Sequence, residues 1–206
     1  MTASLIFLLL ATLEPVPTAA QAGWVEDPAI QQRLAAGEVV VITNSNATDS
    51  GRPRGFIRAA VRIRAAPEVI WNIMTDCAQA ATYVPGLRRC RLIDGAPDGS
   101  WQEIEHEVRY AWFLPTVRYV FRADYERPHR IAFRRVSGDV KEEEGTWLLS
   151  PTADGSATLV QYEVYVDPGF WIPQTFVNRS LRKDLPAALN GLRERAEGGA
   201  NGNSQR

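Results

Sequence analysis

The sequence is poor in the side chains that most often carry bond-making chemistry. Its 206 residues include two histidines, His106 and His129, two cysteines, Cys77 and Cys90, and two lysines, Lys141 and Lys183. Neither cysteine has a histidine nearby, so the ligand spacing of a zinc site is missing. G-x-S-x-G, P-loop, H-E-x-x-H and dinucleotide-binding motifs are all absent, which removes the commonest routes to acyl transfer, phosphate binding, metalloproteolysis and hydride transfer. No cofactor and no metal are expected. A net charge of −1 provides no basic surplus for nucleic acid. No apolar run reaches the roughly 20 residues that span a bilayer as a helix.

The sequence does have the profile of a folded soluble protein, with 45% hydrophobic and 23% charged residues. Its first 22 residues read as a secretory leader. An apolar run at 4–13 ends at Pro15 and Pro17, and Ala20-Gln21-Ala22 fits the small-residue rule for cleavage before Gly23. The expected location is therefore periplasmic or secreted. In such a compartment Cys77 and Cys90 are a candidate disulfide; otherwise they are two small buried apolar residues.

The remaining pattern alternates. Residues 38–43 are β-branched and strand-like, and 44–54 form a polar loop. In 56–64, Ile57, Ala59, Val61 and Ile63 share one face and Arg58, Arg62 and Arg64 the other, as in a half-buried antiparallel strand. Pro67 suits the first turn of a helix, and 78–83 suit a second short one. Strands follow at 88–94, 101–111, 116–125, 130–136, 142–149 and 157–166, each bounded by glycine or proline. Ile172, Phe176, Leu181, Leu185, Leu189 and Leu192 form the apolar stripe of a long final helix, in which Pro186 predicts a kink. The expected organisation is a leader at 1–22, an extension at 23–54, one α+β domain at 55–197 and an irregular tail at 198–206.

Three segments carry a family resemblance. Ala65-Ala66-Pro67-Glu68-Val69-Ile70-Trp71 is similar to the turn into the first helix of START-like (SRPBCC) domains. Tyr83-Val84-Pro85-Gly86-Leu87 resembles their segment before the next strand. The stretch from Asp167-Pro168-Gly169-Phe170-Trp171-Ile172-Pro173 to Leu181 resembles the approach to the C-terminal helix in exported bacterial members, which in turn resemble coenzyme Q-binding START-like proteins. The superfamily also includes polyketide cyclases/dehydrases and lipid-transfer domains. The resemblance implies a helix-grip fold: a curved antiparallel sheet of about seven strands around the C-terminal helix, with two short helices after the first core strand. It also implies an apolar ligand cavity under that helix, but not a reaction, since one fold hosts many functions.

Candidate ligand-binding residues are Trp71, Tyr110, Trp112, Tyr119, Phe121, Trp147, Tyr162, Trp171 and Phe176, placed by the pattern on inward faces or near the mouth. Such rings bury flat apolar ligands. His106 alternates with Ile104 and Val108, so it faces inward. There it can bond a ligand carbonyl, act as a general acid or base in a cyclase or dehydratase, or serve simply as a core histidine. Glu103, Glu105 and Glu107 share the outer face, where Arg58, Arg62, Arg118 and Arg122 are available as partners. Residues 142–144, three consecutive glutamates, read as a solvated turn and strand start. The loops at 112–115 and 169–173 combine aromatic residues with proline, which suits a lip in transient contact with a membrane or partner. The expected partner is a small hydrophobic ligand. The sequence leaves the oligomeric state open.

Overall fold

The computed structural model describes residues 23–47, 53–109 and 115–202. The leader, Tyr110 and Trp112 lie outside the described residues. A 3-10 turn (Gly23–Glu26) leads into α1 (Pro28–Ala35), whose first turn is capped by the Asp27 carboxylate accepting from the Ala29 and Ile30 amides. Two strands follow, β1 (Val40–Ala47) and β2 (Pro53–Ile63). Next come α2 (Pro67–Met74) and α3 (Cys77–Ala80), the latter capped by Asp76. Six strands then run in series: β3 (Leu87–Gly95), β4 (Trp101–Val108), β5 (Val117–Glu126), β6 (Arg130–Gly138), β7 (Glu142–Pro151) and β8 (Thr158–Asp167). The last elements are α4 (Gln174–Arg179), a π-helical turn (Ser180–Asp184) and α5 (Leu185–Gly202).

All eight strands form one curved antiparallel sheet in the order β1-β2-β8-β7-β6-β5-β4-β3. This is the expected α+β helix-grip architecture, with one strand more than the about seven that the family resemblance implied. The eighth is β1, the strand-like segment read at 38–43, which its register with β2 places on the edge, Val40 opposite Ala60.

The two faces of the sheet are covered differently. On the concave face, Leu189, Leu192 and Ala196 of α5 pack with Ile63, Ile70, Trp71, Ala123, Ile131, Leu149 and Val160 in the main core. On the convex face, Val25, Leu34, Val40 and Ala60 form a second cluster that seats the N-terminal helix. Trp24 Nε1 donates to Glu163 at 2.7 Å and reinforces that seat. Thr158 is fully buried, and its hydroxyl donates to the Ala65 carbonyl at 2.7 Å, closing the turn between β2 and α2.

Three expectations need correction. The kink at Pro186 takes the form of the π-helical turn just before it. Pro186 has no N–H to donate, and the Leu185 amide bonds to the Ser180 carbonyl five residues back, so the ladder passes the proline by widening one turn. The chain beyond Gly198 stays helical as far as Gly202. Once a helix is nucleated and anchored, here by fully buried Ala196 and by Glu197 accepting from the backbone and side chain of Arg64, it propagates one bond at a time past weak formers. The outer-face ion pairs differ from the expected set: Glu107 does pair with Arg118, but Glu105 takes Arg91, Arg58 takes Glu163 and Arg122 takes Asp124. The first three pairs join direct cross-strand partners, whereas Arg122 and Asp124 are same-face neighbours two residues apart on β5.

Candidate functional site

Alternation places a continuous series of rings on the concave face. Trp147 on β7 stacks on Tyr162 of β8, with centroids 4.2 Å apart and planes 28° apart. Tyr162 stacks in turn on Phe133 of β6 at 6.0 Å. Phe133 meets Phe121 of β5 edge-on at 6.3 Å, and Phe121 meets the His106 ring of β4 edge-on at 4.8 Å. Tyr119 completes the series, with its hydroxyl 3.4 Å from His106 Nδ1. Offset and edge-on contacts of this kind are the favoured aromatic geometries. Five strands therefore contribute to one aromatic wall facing the C-terminal helix.

Gly145 permits part of this arrangement. It shares its face with Trp147, and a Cβ there would collide with the Phe133 ring and with the β8 backbone at Glu163. The missing side chain lets β7 and β8 approach closely and gives Phe133 its place.

The sequence candidates separate into three groups. His106, Tyr119, Phe121, Trp147 and Tyr162 come together in the wall. Trp71 lies in the closed core, 3% exposed and edge-on to Tyr125 at 5.6 Å. Trp171 is 67% exposed in the segment before α4, and Phe176 is half-buried on α4 itself.

His106 lies in a dry environment, and burial pushes its imidazole down to about 4. The ring is therefore neutral at neutral pH, with one nitrogen able to accept and the other to donate. Cys90 is its direct cross-strand partner. Cys90 is bridged to Cys77, with Cα atoms 5.3 Å apart. The expected disulfide is present, and it fastens α3 to β3 next to the wall.

A cleft of about 350 Å³ opens beside this bridge. Its lining comprises 81–88, Arg109 at the end of β4, and Arg179 and Asp184 of the C-terminal helix. Tyr83 is held there from several sides. Its hydroxyl donates to the Ile73 carbonyl at 3.4 Å, the Arg195 guanidinium lies 4.9 Å from its ring centroid, and burial pushes its hydroxyl up to about 12. Gly191 on α5 leaves room for it, since a Cβ at that position would press against Tyr83. None of Tyr83, Arg88, Arg109 and Arg179 was singled out as a site residue in the sequence. The available signal was the Tyr83–Leu87 motif, which forms most of the cleft wall.

The sequence reading also missed Glu143. Of the three consecutive glutamates, it is the one that shares a face with Gly145, Trp147 and Leu149, so it turns inward rather than lying in a solvated turn. Its Oε2 is withdrawn from solvent without a hydrogen-bond partner, and burial pushes its carboxyl up to about 7. Among the described residues, no group of three or more His, Cys, Asp or Glu side chains is placed to hold a metal ion.

Comparison with known proteins agrees with this geometry. The profile of the family described as "Polyketide cyclase / dehydrase and lipid transport" matches residues 63–193. No curated protein matches the chain in sequence. Among solved structures, the chain is similar to a STAR-related lipid transfer protein from Xanthomonas axonopodis, with a TM-score of 0.61 and 17% identity over 78% of this chain and 98% of that one. It is also similar to the Zhui aromatase/cyclase from Streptomyces sp. R1128, with a TM-score of 0.57 and 17% identity over 70% and 94%. A protein from Thermus thermophilus gives a TM-score of 0.57 and 22% identity over 70% and 99%. At these identities the likeness establishes the fold alone.

Proposed function

We propose, for a chain that belongs to the polyketide cyclase/dehydrase and lipid transport family, that it is an exported binding protein which holds or transfers a small hydrophobic ligand against its aromatic wall. One observation carries this reading: the unbroken run of rings from Trp147 through Tyr162, Phe133 and Phe121 to His106 under the C-terminal helix. Burying apolar ligand surface there stabilises a complex by roughly 25 cal/mol per Å², with no catalytic group required. The basic cleft at 81–88, Arg109 and Arg179 provides the approach from solvent. Exposed Trp171 suits brief contact with a membrane while the ligand moves. Export is supported by the leader-like residues 1–22 and by the Cys77–Cys90 bridge, which is typical of oxidising compartments.

The test is native mass spectrometry and organic extraction of the protein purified from its own compartment, together with a thermal-shift panel of quinones and lipids. A co-purifying hydrophobic molecule, or a shift with a panel member, is the expected result. Empty spectra and no shift across the panel would overturn the reading.

The His106–Tyr119 pair favours a second reading, a cyclase or dehydratase. A neutral imidazole beside a tyrosine hydroxyl can relay a proton to or from a ligand oxygen. On that reading His106→Gln abolishes turnover of a linear poly-β-ketone substrate while leaving its binding intact. Unchanged turnover would rule it out.

A further inference from the structure

Among the described residues, two polar atoms on the concave face have no partner. Glu143 Oε2 and Arg135 Nε are both withdrawn from solvent without a hydrogen bond. Buried polar groups are nearly always paired, because an orphan keeps the full cost of leaving water. The two belong to neighbouring strands. Arg134 and Glu144 form the last rung between β6 and β7, so the next position along each strand is Arg135 and Glu143. Arg135 is also the cross-strand partner of Phe121, and Glu143 that of Val166, which puts the pair level with the aromatic wall.

Groups of the described residues do not satisfy them. Arg135 spends one Nη on the Gly138 carbonyl at 2.9 Å, which fixes the guanidinium and leaves Nε–H free. The nearest lysine along the chain, Lys141, is held by Asp167 at 2.9 Å at the rim. What remains is one donor and one acceptor at the next positions along adjoining strands, on the face that carries the rings of Phe121 and Phe133.

We infer that Arg135 and Glu143 are the specificity-determining polar anchor of the ligand site, and that they select flat apolar molecules with oxygens on neighbouring carbons. One oxygen, a hydroxyl, donates to the Glu143 carboxyl. The other, a hydroxyl or carbonyl, accepts from Arg135 Nε–H. The ring system of such a ligand lies against Phe121 and Phe133. This inference rests on the ligand-holding reading above and adds the chemistry that the ligand must carry.

Competition against bound 1-aminoanthracene tests it, with 2,3-dihydroxynaphthalene and naphthalene as competitors. Wild-type protein is expected to prefer the diol by roughly tenfold or more, because a site with orphaned polar groups penalises the analogue that cannot pair them. Glu143→Leu and Arg135→Met are expected to reduce that preference to within about threefold while keeping naphthalene affinity. If the apolar variants lose their near-ultraviolet circular dichroism, 2,3-dimethoxynaphthalene as a competitor on the wild-type protein decides the matter: it cannot donate to Glu143, so its affinity is expected within about threefold of naphthalene's, and an affinity equal to the diol's overturns the inference. An undiminished preference in the folded variants overturns the inference, as does a wild-type protein that binds both competitors equally. A wild-type protein that binds neither competitor nor the probe overturns the ligand-holding reading itself.

Discussion

Cys90 on β3 stands directly across from His106 on β4, so the bridge to Cys77 lies on the same face as the aromatic wall. The loop it closes, 77–90, includes the whole 81–88 segment of the cleft. One covalent link thus fixes a cleft wall and anchors the edge strand at the position opposite His106.

Removing that link therefore has a measurable cost. The bridged residues are 13 apart, and closing a loop of that size restricts the unfolded chain by about 3 kcal/mol. A Cys77→Ala/Cys90→Ala double variant is expected to lose about 2–4 kcal/mol in urea denaturation. Equal stability with and without the bridge would show that the reduced loop holds its shape unaided.

His106 and Glu143 have opposite effects on the pH dependence of stability. Glu143 is held up to about 7, from an ordinary 4.5. The folded state therefore holds its proton more tightly, and its contribution is present below 4.5 and lost as pH rises through 7. His106 is held down to about 4, from 6.5. Its contribution is present above 6.5 and lost as pH falls through 4. Between about 4.5 and 6.5 the two slopes oppose each other, and a flat profile is expected for the wild type. His106→Gln is expected to give stability that falls as pH rises across that window, and Glu143→Gln stability that rises, each by at most about 3 kcal/mol at roughly 1.4 kcal/mol per pKa unit. Thermal melts at half-unit pH steps would check this, and parallel profiles for the two variants would contradict it.

Thr158 offers a test of the fold away from the site. Thr158→Val keeps the shape but strands the Ala65 carbonyl that the hydroxyl now satisfies. A loss of about 1–3 kcal/mol is expected from chemical denaturation, with ligand binding at saturation unchanged.

Trp171, by contrast, is expected to matter only for contact with other molecules. It is 67% exposed, so Trp171→Ser is expected to change folding stability by no more than about 0.5 kcal/mol. Co-sedimentation with phosphatidylglycerol/phosphatidylcholine vesicles is expected to fall. Undiminished sedimentation would remove this residue from the proposed lip.

The fold was legible because its signals are local. Period-two alternation in β2, β4 and β5 and turn residues at each strand end identify a meander whatever lies above it. The site was less legible, because its polar part depends on which member of a charged run faces inward. Three consecutive glutamates look like solvent-facing sequence, and their charge outweighs the fainter signal that Glu143 is in phase with Trp147 and Leu149. Tyr83 escaped notice as a site residue for a different reason. Its role depends on Gly191 and Arg195, more than a hundred residues away, and no local pattern reports a contact of that range. Trp71 is the converse case: its chemistry suits a ligand site, but its position at the base of α2 makes it a core residue.

The widened turn at Ser180–Asp184 separates the final helix into two parts with different neighbours. Beyond it, α5 is bound into the main core through Leu189, Leu192 and Ala196. Before it, Phe176 and Arg179 belong to the half that borders the basic cleft. A widened turn uncouples the side-chain phase of one half from the other. Sequence drift in α4 can therefore reshape what the protein admits without disturbing what keeps it folded. In a lineage that takes up new ligands, substitutions should accumulate N-terminal to Pro186 and remain sparse after it.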